Sequence, residues 1–283
     1  MSQPSASSRP AGEAIHHTFD ATDFVKVRGT TDGQQVFLVW QGEIYGMLPE
    51  ERKRHLFSIV GMSVARCLPH AEKGWDFISR ELTFYLDPTT QKILHQWHNP
   101  WTQEQVTVMH VANNPVQGHF SGQFPAKITG DQTTFQFDLF PQYPNPLAED
   151  PALAPYSPQS IYQAAELFKL VVPTADLLGS EQSTVSHLTL AWDRIGPWLP
   201  WMNMGKQPGQ MIYSATGQKV NGFIDLPKLL QEQIDQRVPI YRNAPATKMQ
   251  QADMTSWSYF KQHFQNYLAG DTFPIKQVDE GKR

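Results

Sequence analysis

The feature that most restricts the fold of this chain is a series of short segments in which apolar and polar residues alternate. Thr133–Phe140 places Phe135, Phe137 and Leu139 on one side and Gln136 and Asp138 on the other, which is the pattern of a half-buried strand. Comparable apolar, β-branched or aromatic segments follow one another upstream, separated by turn residues. They are Gln35–Trp40, Leu56–Cys67, Phe77–Leu86, Ile93–Trp97 and Val106–Val111. The pattern predicts a meander of antiparallel strands.

The second half of the sequence predicts helices as well as strands. Ser157 is a suitable N-cap, and the apolar residues from Ile161 to Val171 fit one face of a helix. Further helices are predicted at Leu226–Val238 and Trp257–Leu268, and further strands at Val185–Ile195 and Gln210–Ala215. Because so many strands leave edges to protect, we expect an α+β fold. Its large antiparallel sheet is closed or nearly closed as a barrel, with about three helices.

The chain is expected to form one domain over residues 19–275. Residues 1–18 are rich in Ser, Pro and Ala and predict a disordered lead-in, and residues 276–283 predict a charged tail. The six prolines of Pro141–Pro158 indicate an extended connection within the domain. The first residues lack the apolar core of a secretory signal, which predicts a cytoplasmic location.

Composition excludes several classes of function. Among 283 residues, Lys and Arg number 23 and Asp and Glu 27, a net charge of −4, so we expect no nucleic-acid partner. A single cysteine excludes a disulfide framework or a Cys-based metal site within one chain. No apolar segment approaches the length of a transmembrane helix. The sequence contains no P-loop, dinucleotide-binding turn or nucleophile elbow, so we expect no nucleotide cofactor.

Two histidines form the first candidate site. In a hairpin symmetric about Thr102–Gln103, His95 faces His110 across the strands, and a pair of this kind binds a metal or transfers a proton. Glu81 on the neighbouring strand is the nearest candidate for a further metal ligand. The alternative is an exposed His95 and a hydrogen-bonded His110 in the core.

Charged residues in apolar surroundings form the second candidate site. Arg80 and Glu81 interrupt an apolar strand and point to opposite faces, so one of them points inward. Three tryptophans and two methionines lie in Trp192–Gly205, a segment stiffened by prolines. This segment either lines a site for a flat apolar ligand or plugs one end of the barrel with its own side chains. Arg194 within it is suited to bind a carboxylate.

The chain resembles a bacterial and fungal family known as domain of unknown function 1838. The resemblance rests on Val39–Gly46, Ser79–Glu81, Asn99–Thr102, His110–Val116, Trp192–Met202 and Thr255–Trp257. The likeness extends over nearly the whole chain after residue 18, which implies one domain. It implies no activity. His110 belongs to the family pattern, whereas His95 and His98 do not, which favours His110, Arg80, Glu81 and Arg194 as functional residues.

These observations together predict an aromatic-lined cavity for a hydrophobic small molecule such as a lipid, isoprenoid or pigment. We expect an enzyme that performs isomerase-, cyclase- or lyase-type proton transfer, with His110 or Glu81 as acid–base and Arg80 or Arg194 as anchor. The predicted ligand-binding residues are Trp40, Tyr45, Trp97, Trp101, Asn113, Trp192, Trp198, Trp201, Met202 and Trp257.

Three alternative functions remain open at this point. A non-catalytic carrier has the same aromatic pocket but does not need His110. A metal-dependent enzyme uses His110 with Glu81 or His95. A partner-binding protein exposes the Trp198–Met204 loop, for example in a homodimer.

Overall fold

A ten-stranded antiparallel sheet forms the body of the protein in a computed structural model that describes residues 14–179 and 181–277. The strands follow the order β1-β8-β9-β12-β13-β14-β2-β3-β4-β7, and two small hairpins, β5-β6 and β10-β11, lie outside the main sheet. The strands are β1 (Ile15–Asp20), β2 (Val36–Met47), β3 (Arg54–Pro69), β4 (Trp75–Leu86), β5 (Gln96–His98), β6 (Gln105–Thr107), β7 (Val111–Phe120), β8 (Gln123–Thr129), β9 (Gln132–Leu139), β10 (Gln142–Pro144), β11 (Ile161–Gln163), β12 (Ala165–Pro173), β13 (Thr189–Gly196) and β14 (Gln210–Val220). The helices are α1 (Ala21–Arg28), α2 (Lys228–Arg237), α3 (Ser256–Gln262) and α4 (Phe264–Leu268).

The sheet is curled into a half-barrel whose edges, β1 and β7, are not paired with each other. The predicted α+β class with a large, nearly closed antiparallel sheet is therefore confirmed. No helix in residues 14–179 and 181–277 is long and apolar enough to cross a membrane.

The sheet has a concave face and a convex face, which the register of the strands defines. Directly opposed residues of antiparallel strands share a face, so the pairings Thr83↔Gly61↔Trp40 and Ala215↔Trp192↔Phe168 place these side chains on one face. This is the concave face. Its glycines at 61 and 217 leave room for Trp40, since a Cβ at Gly61 would lie 2.4 Å from Trp40 Nε1 and one at Gly217 would lie 3.1 Å from Trp40 Cβ.

The convex face of strands β2 to β4 is covered by the C-terminal elements. Helix α2 packs on β3, burying Leu230 and Ile234, and Phe37 of β2 contacts the ring of Phe223. On the other side of the half-barrel, convex residues such as Leu167 and Lys169 of β12 are exposed. The wall formed by β2 to β4 is thus covered on both faces, whereas the wall that contains β12 is covered only on its concave face.

Both ends of the concave face are blocked by chain segments. Trp201, 2% exposed, packs against Phe57, Tyr85 and Trp97 at one end. At the other end lies α1, to whose C-terminal carbonyls the Lys219 ammonium donates, at 2.9 Å to Lys26 O and 3.2 Å to Gly29 O. The space between these two ends is called the trough below.

The segment from Ser157 to Val171 is not the helix that its sequence predicts. Ile161–Gln163 and Ala165–Pro173 are strands instead. Glu166, Phe168 and Leu170 face the trough while Leu167 and Lys169 face outward, so alternation was the relevant period. The helix suggested by the apolar spacing does not form, because β9 and β13, which are distant in sequence, hydrogen-bond to the two edges of this segment.

The predicted strands at Gln35–Trp40, Leu56–Cys67, Phe77–Leu86 and Thr133–Phe140 and the two C-terminal helices are confirmed. Ile93–Trp97 and Val106–Val111 are strands only in part, since β5 begins at Gln96 and β6 ends at Thr107, and β1, β8 and most of β7 were not predicted. Residues 1–13 of the predicted lead-in lie outside the described residues, but residues 15–18 belong to β1 and pair with β8. Helix α1 was not predicted; Asp20 caps it by accepting from Asp23 N–H at 2.9 Å. Of the predicted tail, residues 278–283 are outside the described part.

We expect Gly61→Ala to destabilise the protein by about 1–3 kcal/mol, because the new methyl group would overlap Trp40 Nε1 and Thr83 Oγ1, which lie 2.4 and 2.5 Å from its position. Urea unfolding measures this difference. Gly118→Ala in β7 is the matched control, since a Cβ there meets nothing within 4 Å. Equal losses in the two variants would show that Trp40 is not packed over Gly61.

Candidate functional site

The trough contains a partly buried carboxyl group whose pKa is raised. Glu81 of β4 is paired with Asn113 of β7 and Ser63 of β3, and all three face the concave side. The pKa of Glu81 is raised to about 7, mainly by burial; Glu166 and Asp253 also raise it, while Arg28 and the Asn113 amide oppose the rise. A carboxyl group that is half-protonated near neutral pH can both take and give a proton.

The effect of Glu166 on the pKa of Glu81 depends on the curl of the sheet. Their strands, β4 and β12, are separated by five inter-strand steps, about 24 Å on a flat sheet. A charge at that distance is screened, yet Glu166 is the largest charge effect on the Glu81 carboxyl. The two glutamates therefore face each other across the trough.

Arg194 on the wall formed by β13 is the second charged group of the site. Its guanidinium is 7% exposed, donates through Nη2 to the Tyr162 hydroxyl at 2.9 Å, and lies 3.7 Å from Glu166 Oε1. It also lies 4.9 Å from the Tyr213 ring centre. Desolvation lowers the pKa of Arg194, but Tyr213, Tyr162 and Glu166 raise it by more, so the group is held as a cation. Its Nη1 has no hydrogen-bond partner.

Unpaired polar atoms concentrate on the concave face. Eight buried side-chain polar atoms lack a hydrogen bond within the described residues. Five of them belong to the concave face, namely Trp40 Nε1, Ser63 Oγ, Asn113 Oδ1, Trp192 Nε1 and Arg194 Nη1. Buried polar groups are costly unless something pairs with them. A bound molecule or ordered water that offers acceptors and donors fits this face.

The apolar lining of the trough is aromatic. Trp192 contacts Trp40 at 6.4 Å between ring centres, Phe168 at 6.3 Å and Tyr213 at 5.8 Å. Trp192, Phe168, Glu81 and Asn113 remain partly exposed, so solvent reaches this part of the concave face. Beside the same wall, a cavity of about 460 Å³ is lined by Tyr162, Trp257, Gly196 and other residues, a volume in the range of small-molecule sites.

A comparison with known protein families identifies the family of the chain. A family model described as protein of unknown function (DUF1838) matches residues 33–264, more than half of the chain. The chain belongs to this family. No curated protein matches the sequence. Both Glu81 and Arg194 lie within the matched residues, and so do the indoles at 40 and 192.

Several of the predicted site residues come together in the structure. Glu81, Arg194, Asn113, Trp40 and Trp192 meet in the trough, and Trp257 lines the neighbouring cavity. Sequence reasoning missed Glu166, Phe168 and Tyr213. Glu166 and Phe168 were hidden by the mistaken helix, and Tyr213 had no signal beyond its place in a predicted strand.

The part of the tryptophan-rich segment from Trp198 to Met204 is a plug, whereas Trp192 at its start lines the trough. Trp198, Trp201, Met202 and Met204 are 6%, 2%, 0% and 3% exposed, packed among the protein's own side chains. The predicted exposed dimer patch at Trp198–Met204 is accordingly wrong. Trp97 packs on Trp201 within the same cluster.

Two further predicted ligand-binding residues lie away from the trough, on the surface. Trp101 packs on Trp198 from outside and donates through Nε1 to Glu51 at 3.2 Å. The Tyr45 ring is covered by the Lys53 ammonium at 4.5 Å.

Arg80 faces the convex side and has a structural role. It donates to Asn114 Oδ1 at 2.9 Å, to the Ile240 carbonyl at 3.2 Å and to the Asn243 carbonyl. These bonds attach the segment after α2 to the sheet. The predicted catalytic or anchoring role of Arg80 has no support in this arrangement.

His110 is a core residue at the sheet edge. Its Nδ1 accepts from Tyr85 N–H at 3.1 Å, and its ring packs against Phe84, whose side chain faces the convex side. The pKa of His110 is lowered to about 3, mainly by burial and also by His95. The imidazole is thus neutral at physiological pH and unsuited to accept a proton.

The predicted pairing of His95 with His110 is wrong. In the hairpin, Trp97 pairs with Val106 rather than Val108, a register two residues away from the symmetric one. His95 is exposed. Within the described ranges, the side chains with metal-ligand spacing are His70, Asp76 and His119, so His110, His95 and Glu81 do not form a metal site.

The raised pKa of Glu81 predicts a pH-dependent gain in stability for Glu81→Gln. A raised carboxyl pKa means that the folded state binds the proton more tightly, so the wild type loses stability as pH rises from the ordinary value near 4.5 to above 7. The amide avoids this loss. We expect the free energy of unfolding of Glu81→Gln to be about 1–3 kcal/mol higher than that of the wild type at pH 8 and equal to it near pH 4.5.

Urea unfolding at the two pH values tests this expectation. The exposed Glu149→Gln variant is the control and should show no pH-dependent difference. A Glu81→Gln variant less stable than the wild type at pH 8 would contradict the raised pKa.

Proposed function

We propose that the trough binds a hydrophobic small molecule and that Glu81 transfers a proton to or from it. The observation that supports this most directly is a carboxyl group with a pKa of about 7 on an aromatic face that also carries unpaired donors. Strongly perturbed protonation in a cleft is typical of functional sites. The reaction class that fits is isomerase-, cyclase- or lyase-type acid–base chemistry.

Different residues of the trough provide the apolar contacts and the hydrogen-bond donors. Phe168, Trp40 and Trp192 supply apolar contact area for the ligand. Arg194 Nη1 and the two indole N–H groups are free to donate to an oxygen of the ligand. Because Glu166 already balances Arg194 at 3.7 Å, a carbonyl or hydroxyl oxygen suits these donors as well as a carboxylate does.

Glu81 can act as acid or base without a cofactor. Near pH 7 both of its forms are populated, and protonation costs little. Asn113, directly opposite Glu81 on β7, lowers the pKa of the carboxyl group. His110 has no part in this mechanism, since its ring lies at the sheet edge with a strongly lowered pKa.

Two adjacent residues of β12 provide a test of binding. Phe168 faces the trough and Leu167 faces solvent on the opposite side. We expect Phe168→Ser to weaken binding of the fluorescent polyene cis-parinaric acid by roughly 10-fold or more, since burying such a ring is worth about 1.5–3 kcal/mol. Energy transfer from tryptophan to the probe measures the affinity. Leu167→Ser should bind as the wild type does, and equal weakening in both variants would contradict binding in the trough.

Deuterium exchange tests catalysis separately from binding. We expect wild-type protein incubated with a cellular lipid extract in D₂O to place deuterium on carbon in at least one extracted compound, because acid–base chemistry exchanges carbon-bound protons with solvent. Glu81→Gln should bind cis-parinaric acid normally and label nothing. Mass spectrometry of the re-extracted lipids is the measurement. Binding without labelling in the wild type would favour the non-catalytic carrier and overturn the enzyme.

A further inference from the structure

Two histidines and an aspartate meet at the end of the sheet next to α1. His70 follows β3, Asp76 lies in β4 and His119 in β7, where Asp76 and His119 are directly paired. One ligand atom of each residue lies within 4.8 Å of the others. His119 Nδ1 is 3.5 Å from Asp76 Oδ1, and the two imidazole rings are 4.8 Å apart.

This cluster is independent of the trough. Asp76 shares the convex face with Arg80, since both lie at even positions of β4, whereas Glu81 faces the concave side. Core packing does not account for the second imidazole beside this carboxylate, because the His119 side chain is 35% exposed.

We propose that His70, Asp76 and His119 bind one divalent transition-metal cation of the zinc type. Imidazole nitrogen and carboxylate oxygen are ligands that Zn²⁺ prefers, and three protein ligands leave a position for water. Bonds of about 2.0–2.1 Å in a tetrahedral site place ligand atoms roughly 3.3 Å apart. The Asp76–His119 distance already fits, and a small rotation of His70 completes the set.

The local contacts indicate which ring nitrogens serve as ligands. A Cβ at Gly74 would lie 3.1 Å from His119 Nε2, so the β3–β4 turn packs on that side and Nδ1 is left facing Asp76. Gly74 itself has φ +82°, a conformation that favours glycine at this turn. His70 Nδ1 accepts from the Glu72 N–H at 3.3 Å, an exposed bond that is cheaply exchanged for a metal bond.

Lys248 competes with the metal for the same carboxylate. Its ammonium lies 3.1 Å from Asp76 Oδ1 and is half exposed. A cation therefore already balances Asp76, and the metal must displace it. The segment that carries Lys248 stays attached without this contact, because Gln117 forms four hydrogen bonds with Met249, Gln251 and Asp253.

Metal titration of the full chain tests the site. Native mass spectrometry with Zn²⁺ and visible absorption with Co²⁺ should show one equivalent bound by the wild type. His119→Ala and His70→Ala should each lose more affinity than the roughly 10- to 100-fold that removal of a ligand's hydrogen-bond partner costs. Lys248→Met should bind several-fold more tightly. His187→Ala, which changes an exposed histidine elsewhere, is the matched control and should bind as the wild type does.

The remaining outcomes overturn the proposal. Unchanged affinity in both His70→Ala and His119→Ala would place the metal elsewhere. No bound equivalent in the wild type would overturn the proposal, and binding by Lys248→Met alone would show that the ammonium keeps the metal out. None of these outcomes bears on Glu81, so the trough and the metal cluster stand or fall separately.

Discussion

Side chains of strands that are far apart in the sheet meet across the trough, and the rest of the structure depends on that approach. The Tyr85 and Tyr213 side chains lie close enough to affect each other's pKa although their strands, β4 and β14, are three inter-strand steps apart. Glycines on the concave face leave the space in which Trp40 packs, and its indole contacts that of Trp192. Without this curl, Glu81 and Glu166 would be separated by several strands, and each would face solvent.

The curl also determines the electrostatics of the trough. Arg28 and Glu166 act on the carboxyl group of Glu81 with opposite sign, and desolvation exceeds both effects, so its pKa rises. Arg194 is subject to the same desolvation, but Glu166 and two tyrosines keep it charged. A cation and a carboxyl group with a pKa of about 7 on one apolar face provide two different polar functions at fixed positions. The convex face, by contrast, uses its polar residues to attach the C-terminal segments, as Arg80 does.

Much of the sheet was predictable because its strands carry a local signal. The alternation in β9 and the long apolar segments of β3 and β4 predict strands without any knowledge of their partners. Residues 161–171 lacked such a signal, since their apolar spacing suits a helix as well as a strand. Only hydrogen bonding to β9 and β13 distinguished the two. The register of the β5-β6 hairpin likewise depended on contacts outside it, and a shift of two residues separated His95 from His110.

The sequence by itself determined the α+β class, the antiparallel strands and the family, and it indicated that one of Arg80 and Glu81 points inward, because composition, alternation and motifs are local properties. The tertiary structure alone decided which faces are concave, that Arg80 and His110 have structural surroundings, and that Trp201 fills the end of the half-barrel. It also brought Glu166 opposite Glu81, and His70 beside Asp76 and His119. The reason is that burial and the distance between charges depend on how the whole sheet curls, which no single segment specifies.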